Sequence, residues 1–270
     1  PVAGNMMMGP GTFVNINGAR RDRLGGYAEW QAQWSDALSS VIGARIDHVS
    51  MNTGDVAPYG TGMMQMDDVM AASAFNAVGH RRGDDNWSVS ALVTWAPSSM
   101  LAVELGYARK ARSPNIYERY SWGRGAMASR MIGWFGDGNG YVGNLNLRPE
   151  QADTISAALK LAPAPGLSVR VSPYYTRVDD YIDARFLKPL KTMAGMPTPF
   201  VQLQFANLDA EFYGIDLSAE AVLAKSARGE TRLSGSLAWV HGRNLTDALP
   251  LYRQMPLDVK LGVTHSTGAL

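Results

Sequence analysis

Cysteine is absent from the 270 residues. Thiolate metal ligands and disulfides are thereby excluded, while the compartment is left open. Nowhere do about eighteen apolar residues run together, so no transmembrane helix is encoded. Pro1 opens the chain without a basic segment followed by an apolar one, and no signal peptide is read there. Neither sign of charge is in excess: 25 basic against 24 acidic residues leave a net charge of +1. That balance sets up no field for nucleic acid. Histidine is scarce, at four residues. G-x-S-x-G, H-E-x-x-H and P-loop patterns are missing. His80 lies near Asp84 and Asp85, but no nucleophile or oxyanion site accompanies them, so no enzyme is expected. "GDGNGYVG" (136–143) hints at a calcium loop. An EF-hand begun at Asp137 needs Glu twelve positions in, and Arg148 stands there instead. The "RGD" at 82–84 reads as a solvated turn.

What is present is period two. Apolar residues alternate in "NWSVSALVTW" (Trp87, Val89, Ala91, Val93, Trp95) and again in "MLAVELGYARK" (Leu101, Val103, Leu105, Tyr107). Similar runs fall at Ala28–Trp34, Ile42–Ile46, Ile155–Leu161, Leu167–Val171, Tyr213–Leu217, Leu233–Trp239 and Leu257–Val263. Such alternation predicts about nine strands of roughly 9–15 residues, against the usual 5–6 or so of globular strands.

The connections are sorted as well. Tight ones are expected at Ser35–Leu38, Ala96–Ser99, Pro163–Gly166 and Ala224–Glu230. Long ones are expected at about 51–85, 113–149, 186–199 and 244–256, in strict alternation with the tight ones. A soluble antiparallel sheet accounts for the alternation of side chains but gives no reason to sort its loops. An up-and-down transmembrane β-barrel does, with short periplasmic turns and long extracellular loops. One face of each strand is aliphatic, as lipid requires; the other carries small and charged residues, as a wet lumen requires. Trp34, Trp87, Trp95 and Trp239 fall near strand ends, where interface girdles place aromatics. The fold expected is therefore all-β: an antiparallel up-and-down transmembrane barrel, present as about nine long strands.

"ARKARSPNIYERY" (108–120) followed by "FGDGNGYVGNLNLRPEQADTISA" (135–157) resembles the barrel of TonB-dependent outer-membrane receptors. "NLNLRPE" is similar to that family's turn into the next strand. "YYTRVDDYID" (174–183) and "FANLDAEFYGIDLSAE" (205–220) resemble the pattern that follows it. "SPNIYERYSW" is most similar to the copper-receptor branch. The resemblance spans most of residues 20–265. It implies a bacterial outer-membrane location, contact with outer-membrane lipid, a metal or metal-chelate cargo, and coupling to the TonB complex through a plug domain. No plug and no TonB box are recognised, and such receptor barrels have about 22 strands. Residues 1–270 are therefore expected to be a partial barrel domain, with both ends looking cut, unable to transport alone.

Of the 14 methionines, all but Met100 fall in or beside the expected extracellular segments. "TGMMQMDDVM" (61–70) concentrates Met63, Met64, Met66 and Met70. Thioether sulfur is a soft ligand suited to Cu(I). With the resemblance, this reads as a copper-capturing loop, with His80 as an imidazole partner and His48 as a second. The spacing of Met63, Met66 and Met70 equally suits the packed stripe of a short helix. Asn115, Tyr117, Glu118, Arg119, Tyr120 and Trp122 mix aromatic and charged groups near a strand end. They read as a substrate vestibule, or in part as rim ion pairs worth about 0–1 kcal/mol. Glu104, Lys110, Asp216 and Glu220 should face the lumen. The function expected is TonB-coupled import of a metal, with a copper ion as transported substrate and no resident cofactor. An iron–siderophore complex is the alternative cargo, for which Tyr117, Arg119, Trp122 and Arg124 are suited. A passive porin and a surface-binding barrel are the remaining alternatives.

Overall fold

A computed structural model describes residues 13–130, 136–192, 195–226, 229–251 and 254–267; the side chains of Met64 and Met127 lie outside the description. The described residues form one 11-stranded sheet. Nine strands are long: β1 (Arg20–Ser35), β2 (Leu38–Asn52), β3 (Arg82–Ser98), β4 (Leu101–Arg112), β6 (Glu150–Ala164), β7 (Leu167–Lys191), β8 (Pro197–Ser226), β9 (Gly229–Asn244) and β11 (Asp258–Ser266). Two are short, β5 (Gly140–Val142) and β10 (Leu249–Pro250). Long neighbours are antiparallel and in sequence order, while β5 pairs with β8 in parallel. β1 bonds only to β2 and β11 only to β9, so the sheet is not closed among the described residues. Three short helices occupy the long connections: α1 (Met66–Asn76), α2 (Ile116–Tyr120) and α3 (Ala126–Arg130). No helix among the described residues is long and apolar enough to cross a membrane.

The nine expected strands are all present. One connection differs: the loop expected at 186–199 is mostly strand, because β7 runs to Lys191 and β8 begins at Pro197. The register shifts between Val178 and Tyr181, Phe186 and Lys188, and Pro189 and Lys191. Each bulge resets the alternation, so the period-two signal disappears while pairing continues. Pro189 sits beside such a shift, where a missing N–H is tolerated.

Register makes the two faces explicit. One row reads Val103, Leu159, Val171, Leu217, Leu237 and Val259 in successive strands. Leu105, Ile155 and Leu261 are 59%, 65% and 81% exposed. Such a band would aggregate in water, and hydrocarbon is its proper solvent. Toward the extracellular end, Tyr107, Ile155, Tyr175, Tyr213 and His241 align across five strands. Immediately above them, Arg109, Asp153, Arg177, Glu211 and Arg243 alternate in sign across the same strands. Tyr107 and Tyr175 donate their hydroxyls up to that row, to Asp153 (2.6 Å) and Glu211 (3.0 Å). Arg109 also lies over the Trp87 ring, 4.4 Å from its centroid. Aromatic row below and charged row above mark the outer membrane–water boundary.

The other face is polar. Glu104 holds Lys160 and Arg170, the latter at 3.0 Å, and Thr154 bonds Thr176 at 2.8 Å. Lys110, Asp216 and Glu220 lie on this same face, as expected. A groove of about 780 Å³ runs along it near the tight turns, past Lys160, Arg170, Glu220 and Lys260.

A charge placed on the outward face should therefore cost far more than one placed inward. Leu217→Arg is expected to destabilise folding into bilayers by about 2–4 kcal/mol and Ser218→Arg by under about 1 kcal/mol. Urea titration in lipid vesicles measures both.

Candidate functional site

Hydrophobic core is found above the membrane band, where the long connections pack on the strand ends. Val49, Met51, Val56, Ala72, Phe75, Tyr120 and Trp122 form one cluster. Tyr141, Leu147, Ile182 and Phe205 form a second. This packed mouth is the candidate site.

The 113–149 connection is built on α2. Asn115 caps it: Asn115 Oδ1 accepts from the Glu118 N–H at 2.9 Å, and Glu118 Oε2 accepts from the Asn115 N–H at 2.7 Å. This reciprocal box satisfies two otherwise orphaned donors of a five-residue helix. Arg112 forks onto Glu150 (2.6 and 2.8 Å) and reaches Glu118 (3.1 Å), tying α2 to β4 and β6. Burial alone would lower the Arg112 guanidinium; the bonds and charges of Glu150 and Glu118 outweigh it and raise it. Nearby on β7, burial first and the Asp183 charge second push the Tyr181 hydroxyl up to about 12. Burial likewise raises the Asp183 carboxyl, against the Ala184 N–H that it accepts.

Arg119 is 2% exposed. Its Nη2 donates to Asp84 Oδ1 (2.7 Å) and to the Leu147 carbonyl (2.9 Å), and its Nη1 approaches the Met51 sulfur at 3.8 Å. Tyr120 donates its hydroxyl to the His80 carbonyl at 2.9 Å. Trp122 Nε1 donates to the Asn15 and Val14 carbonyls at 2.7 and 3.2 Å, with Phe13 and Tyr59 stacked beside it. The return segment passes against α2 without a side chain at Gly143. A Cβ there would lie 2.8 Å from the Arg119 carbonyl and the Ser121 nitrogen, both backbone atoms.

These contacts correct the vestibule reading. Glu118, Arg119, Tyr120 and Trp122 are interior, with their polar groups committed to the loop itself. Asn115 is spent on the cap, and Tyr117 alone of the six is an exposed side chain. At this charged and aromatic cluster beside the strand end, the loop folds over its own polar residues.

The methionine loop is organised differently. α1 is tied at both ends, by Asp68 Oδ1 accepting from the Arg124 and Gly125 N–H groups (2.8 and 2.6 Å) and by Asn76 bonding the Val56 backbone in both directions (2.9 and 3.0 Å). Its buried residues are Asp68, Ala72 and Phe75. The methionines point away: Met63, Met66 and Met70 are 90%, 44% and 58% exposed. The packed-stripe alternative thus fails, because the interior face of the helix carries no methionine. The side chain of Met64 lies outside the described residues, as do Met6, Met7, Met8, Met131 and Met193.

His80 does not join the thioethers. It is buried at the C-terminal end of α1, stacked on Phe75. Its Nδ1 faces the Thr53 carbonyl at 3.0 Å and its Nε2 the Phe75 carbonyl at 2.9 Å, so both nitrogens are enclosed by backbone and neither is open to the loop. About nine residues of helix, roughly 13 Å, separate it from Met66. His48 pairs instead with Asp85 at 2.7 Å.

Met63 and Met66 line a cavity of about 550 Å³ between the two long connections and the top of β7. Tyr59, Arg124, Lys188 and Lys191 share its wall. Sequence reasoning singled out Arg124 but not the lysines, because "FLKPLK" lay in a stretch read as loop. The signal that could have found Asp68 is its place in the first turn of a helix, and for Gly143 there was none.

The Arg119–Asp84 pair holds α2 over β3. Removing one partner from a buried pair leaves an uncompensated charge and costs about 3–5 kcal/mol. Arg119→Met is therefore expected to open the 113–149 connection to hydrogen exchange, and adding Asp84→Asn should restore more than half of the lost protection.

The family described as TonB dependent receptor-like, beta-barrel matches residues 3–268. The solved structure of the copper transporter OprC superposes with a TM-score of 0.69 at 20% identity, covering 93% of this chain and 34% of that one. The alcaligin outer-membrane receptor FauA from Bordetella pertussis gives 0.54 at 15%, covering 90% and 34%. The Serratia marcescens hemophore receptor HasR, solved with its hemophore HasA and heme, gives 0.55 at 15%, covering 81% and 34%. Identities this low establish the fold. The chain spans about a third of the length of each of these three structures. A family match over nearly the whole sequence, on a two-faced sheet with sorted connections, places the chain among the TonB-dependent receptor-like β-barrels of the bacterial outer membrane.

Proposed function

We propose that the protein is an active-transport receptor that binds and imports a metal, with copper as the favoured cargo and TonB-coupled energy as the drive. In this reading residues 1–270 form one section of the wall, and the plug that meets the TonB complex lies outside them. The protein makes no covalent bond; it binds selectively and then gates. The observation that carries the reading is the placement of Met63, Met66 and Met70. Met66 and Met70 are exposed on α1, which packs through other residues, and Met63 is exposed in the turn just before it. Exposed thioethers that contribute nothing to packing are available to a soft metal ion. The fold shared with the copper transporter OprC supports the same cargo. Met63, Met64, Met66 and Met70 are the proposed capture ligands, without His80.

An iron–siderophore complex is the second reading. It draws on the fold shared with FauA and on Arg124, which lines the loop cavity. A porin or a surface-binding barrel has no comparable observation in its favour.

Metal content of the receptor purified from outer membranes, grown with trace copper and iron, separates these. Near-stoichiometric copper is expected, falling at least about tenfold when Met63, Met64, Met66 and Met70 are all changed to leucine. Copper unchanged by the substitutions moves the site elsewhere, and no copper in either protein favours the siderophore.

A further inference from the structure

Another cavity, of about 560 Å³, lies where β5 and the turn between β9 and β10 stand apart along β8. It shares no lining residue with the cavity beside the methionines. Tyr141, Phe186, Leu203, Leu208, Leu249 and Pro250 give it an apolar wall. Phe186 and Leu249 are exposed rather than packed. The polar side chains on the wall are committed, with one exception. Asn139 accepts from the Val201 N–H (3.0 Å) and donates to Asp137 (3.1 Å). Asn244 accepts from the Thr246 and Asp247 N–H groups (2.9 and 3.0 Å) and donates to Asp247 (3.2 Å). Arg185 and Asp247 neutralise each other as an ion pair. The exception is Asp183. Its Oδ1 accepts from the Ala184 N–H at 2.8 Å, and no basic side chain pairs with it among the described residues. Burial raises its carboxyl above the ordinary value, and the Glu150 charge adds to the rise. The cavity therefore holds one uncompensated negative charge in an apolar surround.

We propose that this cavity binds a small organic ammonium ion, its charged head on Asp183 and its apolar body against Phe186, Leu203 and Leu249. Charge complementarity selects the occupant. A carboxylate drawn partly out of water without a counter-ion gains most from a cation that also donates hydrogen bonds. An anion would meet the like charges of Asp183 and Glu150. A bare metal ion would find a single open carboxylate, too few oxygen ligands to hold it. The rings of Tyr141 and Phe186 suit a cationic head over a neutral one. The volume lies within the range of small-molecule sites, about 300–1,000 Å³, which are mostly apolar with few polar groups. Because none of the methionine-loop residues takes part, the inference stands whether or not that loop captures copper.

Phenethylammonium, 2-phenylethanol and 3-phenylpropanoate are similar in size and shape and differ in charge. Their binding to the full-length receptor in detergent is compared by isothermal titration calorimetry. The ammonium ion is expected to bind at least about tenfold tighter than the alcohol, and the carboxylate more weakly than either. Asp183→Asn keeps the shape and removes the charge. It should bring the ammonium ion down to the level of the alcohol and leave the alcohol itself unchanged. Leu249→Lys, at an exposed position, provides a variant expected to fold normally. The ammonium group it adds to the wall should lower phenethylammonium binding severalfold. Phe186→Ala, also exposed, should weaken all three probes by removing apolar wall. Equal binding of the ammonium ion and the alcohol, no binding of the ammonium ion, or an ammonium preference that survives both Asp183→Asn and Leu249→Lys overturns the inference.

Discussion

In hydrocarbon, every backbone N–H and C=O must find its partner within the protein. That constraint governs what can be seen of this chain. It demands long, continuous strands hydrogen-bonded to neighbours on both sides, and it forbids irregular backbone within the membrane band. Turns of two residues therefore join β1 to β2, β3 to β4 and β6 to β7 at one end. Helices and packed loops are confined to the other, where the bulges of β7 also lie. Within the band a residue can be chosen only by the face that it presents, which is why Leu217 and Ser218, adjacent in sequence, belong to different solvents.

Freed from lipid above the charged row, the chain behaves as an ordinary globular protein. It buries Tyr120 and Trp122, caps α2 with Asn115, and places one ionised pair, Arg119–Asp84, almost wholly out of water. These interactions give the extracellular connections a fixed shape. Their rigidity has a consequence for function: the side chains that chemistry would single out first are consumed as structure, and the groups left over are those that a cargo can meet. Exposed thioethers on and just before α1, and Lys191 at the top of β7, are what remain.

Much of the fold was legible because alternation is a local signal. Each apolar residue of β3, from Trp87 to Trp95, announces its face without reference to any other strand. The bulges in β7 erase that signal between Val178 and Lys191, so alternation predicts a loop where the strand continues. The site was legible by composition and not by geometry. Met63, Met66 and Met70 were found because methionine clusters are rare. The burial of His80 and Trp122 is not legible locally, because it depends on distant partners: Thr53 for the first, Asn15 for the second. Nothing in the residues near Arg119 indicates that Asp84, 35 positions earlier, would take its charge.

The two-solvent sheet is the claim on which the rest stands, and the absence of cysteine makes it directly testable. Single cysteines placed in turn from Ile215 to Ala219 can carry a fluorescent label in a reconstituted receptor. Quenching by a lipid-borne quencher should be strong at 215, 217 and 219 and weak at 216 and 218, with a water-soluble quencher giving the opposite pattern. Quenching from water alone at all five positions would contradict the account and return the chain to a soluble β-sheet.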